Sequence, residues 1–142
     1  DLLLRHDWQT VLLEDILAAE LSPFDDKATG RIRLNGPEVE LRPDLALSVG
    51  MVIHEMATNA AKYGALAQSS GRLQVRWSVR EAHGGKNLVL IWREMGGPPV
   101  SEPRHRGFGT KLIERMIGNS DGAGFAFDFK PTGLEFSLTL PI

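Results

Sequence analysis

Polar and apolar positions along the 142-residue chain change their period several times. Over residues 8–21, Val11, Leu12, Ile16 and Leu17 are interleaved with Glu14, Asp15 and Glu20, the spacing of an amphipathic helix. Ser22 and Pro23 end it. Ile32, Leu34, Val39 and Leu41 then alternate with polar neighbours on either side of Asn35-Gly36-Pro37, which predicts two short strands around a turn. Pro43 stands where a helix can begin, because its missing N–H costs nothing there. The predicted helix runs through Tyr63, with Gly64 as the residue that stops it. Leu73, Val75, Trp77 and Val79 share one face of a strand, a Gly-rich turn follows at 83–87, and the apolar run 88–92 reads as a more deeply buried strand. Residues 94–107 mix Gly and Pro with Arg and His and predict a loop. A short helix over 109–118 turns Leu112, Ile113, Met116 and Ile117 inward, and a last hairpin folds around Pro131-Thr132-Gly133.

This order predicts a single domain over residues 1–142: an α/β two-layer sandwich whose mixed, mostly antiparallel sheet of about five strands is covered on one face by about three helices. A doubly wound parallel sheet would need helices between most strands, and the pattern lacks them. The length is enough to bury a core without staples. Cysteine is absent, which excludes disulfides and thiolate metal sites and fits a reducing cytoplasm. A net charge of -2 argues against a broad nucleic-acid footprint. No apolar run approaches the roughly 18 residues of a membrane span, and the first residues lack a signal-peptide layout. The chain starts as if cut from a longer protein.

On a helical wheel of about 100° per residue, Leu45, Val49, Val52, Met56, Ala60 and Tyr63 form the core stripe. Glu55, Asn59 and Lys62 form a second stripe directly beside it. A solvated edge is the plain reading of such a stripe. Asn, however, is a poor residue inside a helix, and the alanines around Asn59 leave room for something to lie against it. An amide oxygen beside a carboxylate and an ammonium suits Mg²⁺ and phosphate, since Mg²⁺ prefers oxygen ligands and keeps several waters. His54 points away from Asn59 on the wheel, which leaves a structural and a catalytic role both open. Glu94 emerges with Gly96 and Gly97 at the end of the buried strand, and Gly107-Phe108-Gly109-Thr110 opens the short helix, where backbone N–H groups can approach an anion. Neither a Walker A loop nor a dinucleotide fingerprint is present.

In sequence order, HEMATNAAKYGAL (54–66), WRE (92–94) and GFGTKLI (107–113) resemble the N box, the Trp-x-Glu form of the G1 box and the G2 box of bacterial HWE sensor histidine kinases. These are members of the GHKL superfamily, which has the Bergerat fold. The resemblance covers the chain from about Trp8 to its end, and it implies the ATP-binding catalytic domain. It implies Mg²⁺ on Asn59, with Glu55 orienting or accepting from the attacking group, and His54 and Lys62 beside it among the catalytic candidates. Lys62 would lie near the phosphates and Tyr63 at the adenine edge. Glu94 would accept the adenine amino group in place of the more usual Asp, with Gly96 and Gly97 letting the base approach. Gly107, Phe108, Gly109 and Thr110 would wrap the phosphates, and Arg104, His105 and Arg106 would supply lid charge.

No phosphoacceptor box precedes these motifs. His6 lacks the acceptor context, and His83 sits in a turn. The implied partners are therefore ATP, a phosphoacceptor histidine on a separate helical domain, and the receiver domain of a response regulator, with no nucleic acid and no direct membrane contact. The alternatives are a degenerate, non-catalytic docking module, or a serine kinase or ATPase on the same scaffold.

Overall fold

The computed structural model describes residues 10–26, 28–82, 84–99, 111, 114–115 and 123–142. The chain runs through β1 (Val11–Leu12), α1 (Leu13–Leu21), a 3₁₀ turn at Ser22–Phe24, β2 (Ile32–Asn35), β3 (Glu40–Leu41) and α2 (Pro43–Lys62). A second 3₁₀ turn at Ala65–Ala67 leads to β4 (Arg72–Ala82), β5 (Gly85–Met95), β6 (Gly124–Lys130) and β7 (Gly133–Pro141). Five of the strands make one sheet in the order β2-β4-β5-β7-β6, and β1 and β3 pair as a separate ribbon. Only β2 and β4 run parallel; the other pairs of the large sheet are antiparallel. The mixed, mostly antiparallel sheet is therefore as its pattern predicts.

Period-two alternation decides which face is covered. Leu88, Leu90, Trp92 and Glu94 of β5 are buried, and so are Leu73, Val75 and Trp77 of β4 and Leu134, Phe136, Leu138 and Leu140 of β7. Their apolar members join Val49, Val52, Ile53 and Met56 of α2 and Leu13 and Leu17 of α1 in one core cluster. The opposite face of β4 carries Arg72, Gln74, Arg76, Ser78 and Arg80, which are exposed or half-buried.

Four expectations need correction. Val11 and Leu12, expected within the first helix, pair with Leu41 and Glu40 as β1, and α1 begins at Leu13. Residues 31–41 do not form a hairpin: β2 pairs with β4 and β3 with β1. The Trp77 indole N–H donates to the Pro37 carbonyl at 2.7 Å, and its ring lies over Gly36, so the Asn35-Gly36-Pro37 link is drawn out along the sheet. The parallel β2–β4 pair then needs the crossover that α2 supplies. Next, the described residues contain two α-helices, not about three; of the third, only Lys111, Glu114 and Arg115 are described, and these are helical. Last, Tyr63 is 67% exposed and outside the core stripe, because the helix ends at Lys62 and Tyr63 leaves the helical conformation at φ -128°.

Leu90 lies opposite Trp77 on one side and Leu138 on the other and is fully buried. Leu90→Ala is expected to cost about 2–5 kcal/mol in urea denaturation. Leu47→Ala, at a residue 65% exposed on α2, should stay within about 0.5 kcal/mol of the parent.

Candidate functional site

The site is organised around one buried carboxylate. Glu94 is 3% exposed, and besides Ser48 it is the only buried polar or charged side chain among the described residues. It ends the inward face of β5, two residues after Trp92, so both side chains point toward the helices. The Trp92 indole N–H donates to Glu94 Oε2 at 2.9 Å. The Ala65 backbone N–H donates to Glu94 Oε1 at 3.0 Å. A carboxylate stripped of water is costly unless donors replace the water, and here each oxygen has one. Burial pushes the Glu94 carboxyl above its ordinary range, while the bonds from Trp92 and Ala65 pull the other way without cancelling that rise.

Ala65 follows the C-terminal end of α2, so Glu94 fastens the strand end to the helix end. The Tyr63 N–H donates to the Asn59 carbonyl at 2.8 Å and the Gly64 N–H to the Ala60 carbonyl at 3.1 Å, which closes the helix. Gly64 then leaves it with φ -115°, which any residue can adopt. Its glycine is required for another reason: a Cβ there would strike Glu94 Oε1 and lie 3.1 Å from the Ala60 Cα. A Cβ on Gly97 would likewise meet the Ala65 backbone nitrogen at 2.8 Å, so the glycine after β5 lets the strand end close on the helix end. From the other side, Arg31 Nη2 donates to the carbonyls of Gln68 at 2.7 Å and Ala65 at 3.3 Å. The segment after α2 is thus held by a cation on its carbonyls and an acid on its N–H.

Glu94, Gly96 and Gly97 line a depression of ≈ 730 Å³ at this end of the sheet, with Pro131, Thr132 and Gly133 across from them. Asn59, Lys62 and Tyr63 on the last turns of α2 are exposed, and Glu55 is half-buried. Asn59 therefore offers an accessible oxygen donor, which fits a cation that arrives already carrying phosphate oxygens. His54 faces the other way. Its Nδ1 lies 2.8 Å from Glu20 Oε2 of α1, and its carbonyl accepts from Thr58 Oγ1 at 2.8 Å, so it ties the two helices together. Arg104, His105, Arg106, Gly107, Phe108, Gly109 and Thr110 lie outside the described residues.

The sequence pattern alone did not assign Ala65, Arg31 or the indole N–H of Trp92 to the site. The i, i+2 spacing of Trp92 and Glu94 on one strand was a readable signal for the last of these. A backbone donor 29 residues from its acceptor leaves no pattern at all.

Residues 1–38 match the family model described as HWE histidine kinase. The whole chain is 36% identical, over 142 residues, to a blue-light-activated histidine kinase of Brucella anthropi, and covers 29% of that protein. It is 35% identical over 139 residues to blue-light-activated histidine kinase 1 of Erythrobacter litoralis; the match takes in 96% of this chain and 37% of the relative. The chain is thus similar to HWE histidine kinases over its first 38 residues and to blue-light-activated histidine kinases along its length. It spans roughly a third of the length of the curated relatives it matches. Among solved structures, the histidine kinase domain of the Erythrobacter litoralis blue-light-activated kinase superposes with a TM-score of 0.65 at 22% identity, over 91% of this chain and 58% of that one. The histidine kinase domain of the E. coli osmosensor EnvZ superposes with a TM-score of 0.57 at 16% identity, over 95% of this chain and 89% of that one. The fold is that of these histidine kinase domains.

Two measurements probe this clasp. Gly64→Ala should cost about 1–3 kcal/mol in urea denaturation, as the added methyl displaces the Glu94 carboxylate. Because the folded pKa of Glu94 is raised, the native state binds more protons than the unfolded state just above the ordinary value of 4.5. Its contribution to stability should therefore fall as pH rises from there through the folded pKa. The stability difference between wild type and Glu94→Gln, followed by urea denaturation from about pH 4 to about pH 8, should carry that downward slope.

Proposed function

We propose that this chain binds ATP with Mg²⁺ and supplies the γ-phosphoryl group for autophosphorylation of a histidine on a separate helical domain, within two-component signalling. The observation that carries the reading is the clasp. The buried Glu94 carboxylate is tied to the end of the one helix that bears Glu55, Asn59 and Lys62, so an acid suited to a base amino group neighbours a helix end suited to phosphates.

In this reading Glu94 accepts the adenine amino N–H, and Gly96 and Gly97 leave the base room. Asn59 lends its side-chain oxygen to Mg²⁺, which neutralises phosphate charge when bound. Lys62 lies toward the phosphates, and Tyr63, exposed beyond the helix end, lies at the edge of the base. Gly107, Phe108, Gly109 and Thr110 wrap the phosphates, with Arg106 supplying lid charge. The acceptor imidazole nitrogen attacks the γ-phosphorus, the bond to the leaving ADP oxygen breaks, and the imidazole N–H proton passes toward Glu55. His54, bonded to Glu20, shapes this helix from behind. The phosphoryl group then passes to an aspartate of a response regulator receiver domain. Catalysis by the protein is positioning and charge neutralisation. The setting is the bacterial cytoplasm; no described helix is long and apolar enough to cross a membrane.

Calorimetric titration with a non-hydrolysable ATP analogue, with and without Mg²⁺, tests the reading. Wild type should bind with Mg²⁺, and Asn59→Ala should lose about tenfold or more in affinity while its melting temperature is unchanged. Equal binding by the two proteins, or none at millimolar nucleotide, would contradict it.

A further inference from the structure

We propose that the Trp92 indole N–H is a positioning group that fixes the Glu94 carboxylate as a hydrogen-bond acceptor, and that it thereby makes the site select a 6-amino purine over a 6-oxo purine. The proposal rests on the reading that Glu94 faces the base.

Glutamate has one more rotatable bond than aspartate, so an acid at this position needs something to hold its head. Trp92 is fully buried and its ring cannot turn without opening the core. Its N–H meets Glu94 Oε2 at 2.9 Å, and the Ala65 N–H meets Oε1 at 3.0 Å. Gly64 supplies the space for Oε1 that a Cβ would occupy. The carboxylate is therefore pinned at both oxygens and ordered before any ligand arrives, which removes the cost of ordering it on binding.

The same two donors set its chemical sense. An ionised carboxylate offers about four lone-pair sites, of which these bonds use one per oxygen, and the remaining sites can accept from an amino group. A protonated carboxyl would carry a hydrogen into a pocket whose nearest partners are themselves N–H donors, the Trp92 indole and the Ala65 amide. Burial favours that protonated form, and the two N–H groups oppose it. The distinction matters because a 6-amino purine donates toward Glu94, whereas the oxygen of a 6-oxo purine would face an ionised carboxylate with no hydrogen between them. Hydrogen-bonding sites reject analogues that leave buried polar groups unpaired. Without the indole N–H, Glu94 can swing or take up a proton, and a protonated carboxyl can donate to the 6-oxo group.

The test compares Mg-ATP with Mg-ITP, whose base differs at the 6 position, as calorimetric dissociation constants for wild type, Trp92→Phe and Glu94→Gln. The wild-type chain should prefer ATP. Trp92→Phe should weaken ATP about tenfold and leave ITP unchanged or tighter, so the ratio moves toward unity. Glu94→Gln should also lose the preference. Should Trp92→Phe fail to fold, the benzothienyl isostere at Trp92, introduced by semisynthesis, keeps the ring and lacks only the N–H. Equal weakening of both nucleotides by the Trp92 variants would mark the indole as packing alone and overturn the proposal, as would an unchanged ratio. A wild type without any preference for ATP would overturn the reading of Glu94 itself, and an intact preference in Glu94→Gln would do the same.

Discussion

A carboxylate with almost no access to water is the constraint around which this end of the molecule is built. Glu94 is tolerated there because the Trp92 indole and the Ala65 amide replace its water. Those donors come from two different layers: Trp92 belongs to β5 in the sheet, and Ala65 follows α2. Satisfying one acid therefore sets the distance and angle between the end of a strand and the end of a helix. The glycines answer to the same demand. Gly64 makes room for Oε1, and Gly97 lets the chain after β5 come against the Ala65 backbone. Arg31 closes the arrangement from behind by holding the carbonyls of Ala65 and Gln68.

This geometry gives the Trp-x-Glu segment a physical meaning in this chain. Alternate residues of a strand share a face, so a Trp two positions before an acid can place an N–H beside it. The rest of the fold supports that short stretch. Leu88 and Leu90 precede it on the same inward face, and β4 and β7 flank β5 on both sides. The crossover through α2 brings the helix back over the same sheet. His54 and Glu20 join α1 to α2 on the face turned away from Asn59, where their contact leaves the exposed end of the helix free for a ligand.

The sequence pattern carried the sheet well, because β4, β5 and β7 alternate cleanly and their hairpins are marked by Gly-rich turns. It carried the extent of α2 almost to the residue. It failed where long-range contacts overrode local cues. Asn35-Gly36-Pro37 looks like a hairpin turn, yet the Trp77 bond to Pro37 and the parallel pairing with β4 draw that segment out. Tyr63 fits the apolar stripe on a wheel, but the wheel assumes a helix that has ended one residue earlier. Gly64 reads simply as a helix stop, and it is glycine because a carboxylate from 30 positions away presses against it. The closeness of Glu94 and Gly97 to the end of α2 follows from the motif order, but the donors that hold Glu94 were not legible, since one is a backbone amide and the other a side chain that reads as core.

The most direct test is a crystal structure of this chain with Mg²⁺ and a non-hydrolysable ATP analogue. The account requires the adenine amino group within hydrogen-bond distance of Glu94, with the Ala65 and Trp92 bonds to that carboxylate retained. An adenine bound elsewhere, or a Glu94 that abandons both donors when nucleotide binds, would contradict it.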